Sequence, residues 1–385
     1  MQSGNNDSGN KKLINGFTTG SAATAASKAA VTMLITRSKL DSISINTPCG
    51  EKYNPTLFDQ EINDSYASCY VVKESGDDPD ITSGIKIYSK VMYSNTPGVH
   101  ITGGTGIGIV TRPGLDQQVG EYAINSVPRQ MIIKEVTDVL DSYDIEEYGI
   151  DVEISVPEGV DIAKKTFNPH MGIEGGISII GTTGIVKPMS TDALIETIKL
   201  DIKMQYHEGK DTCIIVPGNY GVTFLENYYN YQERDIVLCS NFVGDSIKFA
   251  ADFGFKNILF CSHIGKMIKV SGGIMNTHSM YGDRRMELMR DAFTEACNLN
   301  TYNESITNEV KVVDVEEQIL QCVSTTAALN ILNEIDSKYG TDLVHKVSKI
   351  IVDKTLMHLR KACENRANIN CILYENSYGE LARTF

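Results

Sequence analysis

The sequence predicts an α+β layered domain followed by an α/β domain with a mostly parallel sheet. Three observations carry that expectation. Up to about residue 165, strand-like runs outnumber helical ones, of which two are clear. Beyond it, short apolar runs alternate with helical periodicity, the rhythm of βαβ units. Between the two stretches Pro157, Gly159, Pro169 and Gly172 punctuate the chain. The expected division is an arm over 1–12, an α+β domain over 13–165, and a doubly wound, Rossmann-like α/β domain over 166–385 that ends in helices. At 385 residues the chain has length enough for two domains.

The elements follow in order. The opening MQSGNNDSGNKK is polar and rich in Gly and Asn. It reads as a disordered arm, and it lacks the apolar centre of a signal peptide. Ala22, Ala25, Ala26, Ala29, Ala30, Met33 and Leu34 then recur at three- and four-residue steps, one face of a helix. Thr18 or Thr19 caps it, and its alanines let another backbone come close. Strands are expected at 42–46, 67–73, 84–93 and 106–111, the last leaving a glycine-rich turn. A helix starts near Pro128, with Pro in its first turn, and a strand follows at 151–156. In the second domain 177–180 reads as a buried strand ending in Gly181-Thr182-Thr183-Gly184, with a helix from about Thr191. Further strands are expected at 213–216, 236–239 and 257–261, and helices at 245–253 and from about Gly265. Helical stretches at 284–297 and 312–363 and a strand at 369–374 close the chain.

Composition narrows function. Lys plus Arg is 35 against 49 Asp plus Glu, a formal charge of −14. Bulk nucleic-acid or anionic-membrane binding needs a basic footprint, so both are disfavoured. An acidic ligand would need its cationic contacts gathered in one cleft. No run approaches the ~18 apolar residues of a membrane helix, and a cytoplasmic protein is expected. The nine cysteines form no CxxC pair and no zinc spacing. They read as reduced thiols, and no protein-bound metal is expected.

Several segments have the residue types of a site. The run Gly103-Gly104-Thr105-Gly106-Ile107-Gly108 leads to Arg112. Such glycines bring backbone amides to an anionic or planar ligand, or simply connect strands at positive φ. The run lacks the Gly-Lys-Ser/Thr ending of a phosphate-binding P-loop. The turn Gly181–Gly184 stands where ligands bind in open α/β sheets, at a strand's carboxyl end. GxGxxG spacing is absent and no acidic residue closes the second strand, which disfavours a nicotinamide dehydrogenase. Asp77, Asp78 and Asp80 crowd one turn after a strand. They are a solvated turn, or a base or cation partner whose mutual repulsion favours proton uptake. Asn241–Gly244 and His263-Ile264-Gly265-Lys266 follow later strands, with Lys269 and His278 close behind. No HExxH, GxSxG or other nucleophile–base signature is present.

The segment NPHMGIEGGISIIGTTGIVKPMS at 168–190 resembles the CbiD family, the cobalt-precorrin-5B C1-methyltransferases of anaerobic cobalamin biosynthesis. GFTTGSAATAASKAA, VVKESGDDPDITSG, GGTGIGIVTRPGL, GEYAINSVPR and HIGKMIKVSGGIMNTHS resemble its other signatures, in order, over nearly the whole chain after the arm. Two departures stand out. Ser21-Ala22 replaces the family's usual Thr-Cys, and Asn15 precedes Gly16 where Arg is frequent. The resemblance implies transfer of a methyl group from S-adenosylmethionine to ring carbon C1 of a cobalt-bearing corrinoid, giving cobalt-precorrin-6A. Cobalt then belongs to the substrate. Attack on an activated sulfonium methyl needs alignment and little else, which suits the missing nucleophile.

For the substrate's carboxylates the nominees are Lys73, Arg112, Arg129, Lys187, Lys266 and Lys269, with Thr18, Thr19, Gly104 and His278 beside them. Asp77, Asp78 or His263 is the candidate proton acceptor or the partner of the cosubstrate's ammonium. Gly181, Thr182, Thr183, Gly184, Asn241 and Gly244 are the candidate cosubstrate contacts. A non-catalytic protein that hands corrinoid intermediates between enzymes is the alternative, and a phosphate-ligand enzyme built on the 103–108 loop is a third reading. Other cobalamin-pathway enzymes are candidate partners, and a homo-oligomer is compatible with the sequence.

Overall fold

The structure, a computed structural model, describes residues 13–298 and 312–385. The expected arm over 1–12 lies outside the described residues. Two compact units meet in sequence between Thr191 and Asp192, not at 165/166. Backbone pairing is the reason. Residues 173–186 supply two short strands that pair with strands of the first unit and none to the second sheet.

The first unit begins with β1 (Gly16–Phe17) and α1 (Thr19–Thr36). A small ribbon of β2 (Ile45–Asn46) and β3 (Lys52–Tyr53) follows. Then come β4 (Phe58–Ile62), β5 (Tyr66–Val72), β6 (Lys86–Tyr93), β7 (Gly98–Gly103), β8 (Ile109–Val110), α2 (Ser126–Ser142), β9 (Gly149–Ser155), α3 (Gly159–Ala163), β10 (Ile173–Glu174) and β11 (Ile185–Val186). The main sheet runs β4-β5-β6-β9-β7 and is antiparallel except for β7 beside β9. Its strands bury alternate residues: Ala67, Cys69 and Val71 on β5, and Ile150, Val152 and Ile154 on β9. That period of two marks a sheet with one covered face. The helices α1 and α2 cover it. Thr18 caps α1 by accepting the Ser21 N–H at 3.2 Å. The helix lies close enough to β6 for Ser27 Oγ and Ser89 Oγ to share a 2.9 Å hydrogen bond.

The second unit contains α4 (Thr191–His207), β12 (Thr212–Val216), α5 (Asn219–Tyr229), β13 (Ile236–Leu238), α6 (Val243–Phe253), β14 (Asn257–His263), α7 (Ile264–Ser271), α8 (Arg285–Asn298), α9 (Val312–Gln321), α10 (Thr325–Tyr339), α11 (Leu343–Ala362), β15 (Asn368–Glu375) and β16 (Gly379–Arg383). Its sheet runs β13-β12-β14-β15-β16, parallel except for β16. Helix α5 packs on one face. Helices α4, α6, α7 and α11 pack on the other. Strands buried on both faces read as continuous apolar runs, as Cys213–Val216 and Ile258–Cys261 do. From β12 the chain steps to β13 on one side and then crosses to β14 on the other. Ligand crevices of open α/β sheets form at such a reversal.

Several expectations change. The run at 177–180 makes only the isolated bridges Ile107↔Ile177 and Ile124↔Ile179, inside the first unit. The strand expected at 106–111 shrinks to β8, and the strand before the glycine run, β7, was not anticipated. The expected stretch 312–363 is three helices. Ser324 breaks it by capping α10, accepting from Ala327 N at 3.1 Å, and Gly340 breaks it at φ +66°. Among the described residues no helix is long and apolar enough to cross a membrane.

Candidate active site

A cleft of roughly 630 Å³ opens at the carboxyl ends of the second unit's strands, a volume typical of small-ligand sites. Pro217 and Gly218 line it after β12, Asn241 after β13, Ser262 and His263 at the end of β14, and Tyr374 on β15. It therefore includes the reversal point between β12 and β14.

Two lysines on α7 reach the cleft one turn apart. Lys266 Nζ donates to Pro217 O at 3.0 Å and Ser240 O at 3.2 Å, joining the carboxyl ends of β12 and β13. Lys269, only 6% exposed, donates to Thr277 O and Gly282 O, each at 3.3 Å. Among the described residues neither ammonium has a carboxylate within ion-pair distance. An ammonium carries three N–H donors, so each keeps one for a ligand. Burial pushes the Lys266 pKa down, and Lys269 nearby pushes the same way. Asp283 attracts Lys269 at longer range, but two desolvated like charges with no carboxylate in contact are costly unless an anion joins them.

The surrounding side chains are fixed. Arg285 Nε and Nη2 grip Asp283 at 2.7 and 2.6 Å, holding that carboxyl below the usual range. His263 caps α7: its Nδ1 accepts the Gly265 N–H at 3.1 Å. Its Nε2 lies 3.7 Å from Glu375 Oε1. Burial lowers the His263 pKa, with Glu375 opposing. Glu375 is 4% exposed and accepts from Thr326 Oγ1 at 3.1 Å and Ser377 N at 2.6 Å. His278 caps a short turn, accepting from Met280 N at 3.2 Å. Asn241 Oδ1 accepts from Thr277 Oγ1 at 3.1 Å. The segments that line the cleft also carry exposed apolar side chains, Tyr220 at 74%, Val323 at 90%, and Met280 and Tyr281.

The structure thus brings together Asn241, His263, Lys266, Lys269 and His278. Gly244 lies behind them. Its N–H donates to Met275 O at 3.1 Å, and a Cβ on it would sit 2.9 Å from Met275 Cβ.

The other nominees belong to the first unit, where most of their polar groups are engaged internally. Gly181–Gly184 wraps the start of α1 instead of ending a strand of the parallel sheet. Thr18 N donates to Gly184 O, Gly20 N to Ile180 O, and Thr19 Oγ1 accepts from Ile180 N. A Cβ on Gly181 would lie 2.2 Å from Thr18 Oγ1, and one on Gly184 2.7 Å from Thr47 Cβ. Thr182 and Thr183 are exposed. Lys73, 2% exposed, is bound to Asp80 at 2.5 Å and Ser75 Oγ at 2.6 Å. Asp77 accepts from Ile14 N at 2.7 Å, and Asp78 from Met189 N at 3.0 Å. Arg112 donates to His170 O. Arg129 donates to Ile124 O at 2.8 Å and Ile101 O at 3.1 Å. Gly104 lets Ser155 and Glu153 close in, its N–H held by Ile154 O at 2.8 Å. A Cβ on Gly106 would lie 1.8 Å from Val156 O. The 103–108 loop is a site of backbone packing. Lys187 is exposed.

Sequence reasoning missed Gly218, Arg285, Glu375 and the Thr325–Thr326 pair. The carboxyl-end rule, applied to the strands at 213–216 and 369–374, points to Gly218 and Glu375. Arg285 and Thr325–Thr326 carry no such signal.

Comparison with known proteins agrees with the sequence motifs. The CbiD family model matches residues 6–188. A cobalt-precorrin-5B C(1)-methyltransferase of Thermoanaerobacter sp. (strain X514) is 39% identical over 97% of this chain and 96% of its own length. One of Ruminiclostridium cellulolyticum is 40% identical over 96% of this chain and 91% of its own. The crystal structure of a cobalamin biosynthesis protein (cbiD) from Archaeoglobus fulgidus is 25% identical, covering 71% of this chain and 84% of that one with a TM-score of 0.39. The chain belongs to the CbiD family.

Proposed function

We propose that this protein methylates ring carbon C1 of cobalt-precorrin-5B, giving cobalt-precorrin-6A, with S-adenosylmethionine as methyl donor. The relatives' names supply the reaction. The observation that carries it here is the cleft floor: Lys266 and Lys269, bonded only to carbonyls, on a chain of charge −14. The substrate's acetate and propionate groups supply the contacting carboxylates these lysines lack, and charge-assisted bonds to them are the strong kind. His278 and Arg285 extend the polar wall, and the exposed Tyr220 offers apolar surface to a macrocycle.

S-adenosylmethionine supplies an activated sulfonium methyl when bound. Two residues fit it. Gly218 has extended backbone and no atom within 4 Å of where a Cβ would stand, so a ligand can approach its main chain. Asn241 presents an amide whose NH₂ stays available while its oxygen holds Thr277. The packed Gly181–Gly184 turn offers no comparable opening at its glycines. The remaining task of the chain is to align the ring and exclude water, which lowers the barrier without a protein nucleophile. Cobalt is counted with the substrate. A cytoplasmic location fits nine unpaired thiols.

The test is anaerobic turnover of enzymatically made cobalt-precorrin-5B with methyl-labelled S-adenosylmethionine. A product heavier by one methyl, labelled at C1, is expected. Tight corrinoid binding with no label transferred would overturn the reading and make the protein a carrier of pathway intermediates.

A further inference from the structure

We propose that His263 is a positioning residue, its tautomer fixed by the Gly265 amide at Nδ1 and Glu375 at Nε2, and that it holds Lys266 on the substrate instead of accepting a proton. This rests on the reading of the cleft as the corrinoid site.

A neutral imidazole has one donor and one acceptor nitrogen. Nδ1 accepts the Gly265 N–H at 3.1 Å, so the ring proton sits on Nε2. That N–H faces the buried Glu375 carboxylate at 3.7 Å. Glu375 is itself held: Thr326 Oγ1 at the start of α10 and the Ser377 and Tyr378 amides all donate to it. The Tyr374 ring meets the imidazole edge-on, centroids 5.6 Å apart, and limits its swing. Neither nitrogen is free to take a proton without breaking the cap of α7. Lys266 stands in the first turn of that helix and its ammonium joins the ends of β12 and β13. An uncapped first turn would release the Gly265 amide and shift Lys266 first.

Acid should act through the same contact. Protonation places a hydrogen on Nδ1 and removes the acceptor for Gly265. The charged and titratable groups around the ring are Glu375 and Tyr374 from β15, Lys266 along α7, and His278 with the Asp283–Arg285 pair across the cleft. Of these, Glu375 lies in ion-pair reach and favours the imidazolium.

Four measurements test the proposal. In the wild-type protein, ¹⁵N spectra of the His263 ring should show the Nε2–H tautomer at neutral pH. His263→Ala should raise KM for the corrinoid roughly 3- to 30-fold, the size of a lost helix cap, with kcat least affected. His263→Asn, a good cap that does not titrate, should recover most of that loss and flatten the acid limb of kcat/KM. Glu375→Gln should displace that limb to lower pH, which a residue serving only stability would not do. An Nδ1–H tautomer overturns the proposal. So does a kcat loss of about 100-fold or more in His263→Asn at unchanged KM, the signature of lost proton transfer. The ring spectrum needs neither substrate nor variant, so failed turnover would sink the assigned reaction and leave the tautomer lock to be judged separately.

Discussion

Both units carry glycine turns and charged side chains in patterns that suggest ligand binding, yet their buried lysines are matched differently. In the first unit Lys73 is matched by Asp80, Asp77 and Asp78 hold the amides of Ile14 and Met189, and Arg129 is bonded to two carbonyls. In the second, Lys266 and Lys269 are bonded, as Arg129 is, only to neutral carbonyls. The lesson is that composition does not separate a charge paired within the fold from one bonded only to neutral groups. Accounting for each donor, acceptor and charge does.

Replacing one lysine from each unit should break the comparison most sharply. Lys73→Met strands a partly buried Asp80, and removing one partner of such a pair is strongly destabilising. A loss of about 3 kcal/mol is expected from denaturant melts, with kcat per folded molecule retained. Lys269→Met removes a charge that has no carboxylate within ion-pair distance and only the longer-range attraction of Asp283, so stability should change far less. Corrinoid affinity should instead fall about 10- to 100-fold, the worth of one charge-assisted hydrogen bond. If both variants simply melted, the cleft lysine would be structural after all.

Glycines give a second contrast, of smaller size. At Gly181, φ is +143° and a Cβ would overlap Thr18 Oγ1. Gly181→Ala should cost roughly 1–3 kcal/mol through strain and overpacking. Gly218 has extended backbone and open space around it. Gly218→Ala should leave stability within about 0.5 kcal/mol while weakening S-adenosylmethionine binding measured by calorimetry. Unchanged binding in that variant would move the cosubstrate away from the α5 end of the cleft.

The fold was legible where one periodicity dominates. The alanine ladder of α1, the alternation of β5 and β9, and the apolar runs of β12 and β14 each follow from a single pattern of burial. Helix α5 was missed because aromatic residues in NYGVTFLENYY blur its apolar face, two of its tyrosines, Tyr220 and Tyr228, being exposed. The boundary was misplaced because Pro and Gly at 157–172 mark turns inside the first unit, while the pairing that sets the division is long-range. The site was half legible. Asn241, His263, Lys266, Lys269 and His278 lie close in sequence after two strands, and the fold keeps them together. Asp77, Asp78 and Lys73 looked equally chemical, but their partners, Ile14, Met189 and Asp80, are chosen by tertiary packing that no local motif reports.

The smallest effect expected is the most local. His263 has its pKa lowered by burial, against an ordinary value of 6.5. The unfolded chain therefore takes up this proton first, and the native state loses stability as pH falls below 6.5. Asp80 behaves differently. Burial pushes its pKa up, but bonds from Lys73 and Thr82 together outweigh burial and leave it below 3.8. Its contribution is present above 3.8 and disappears only as pH falls further. Two amides report the difference. Gly265 N–H is held by His263 Nδ1, and Thr82 N–H by Asp80 Oδ1 at 2.8 Å. Hydrogen-exchange protection, corrected for intrinsic rate, should decline at Gly265 as pH falls below 6.5 while Thr82 stays protected. His263→Asn should make the Gly265 profile flat. Equal decline at both amides would mean that acid opens the protein globally, and the two units would then not differ in the way their charges are matched.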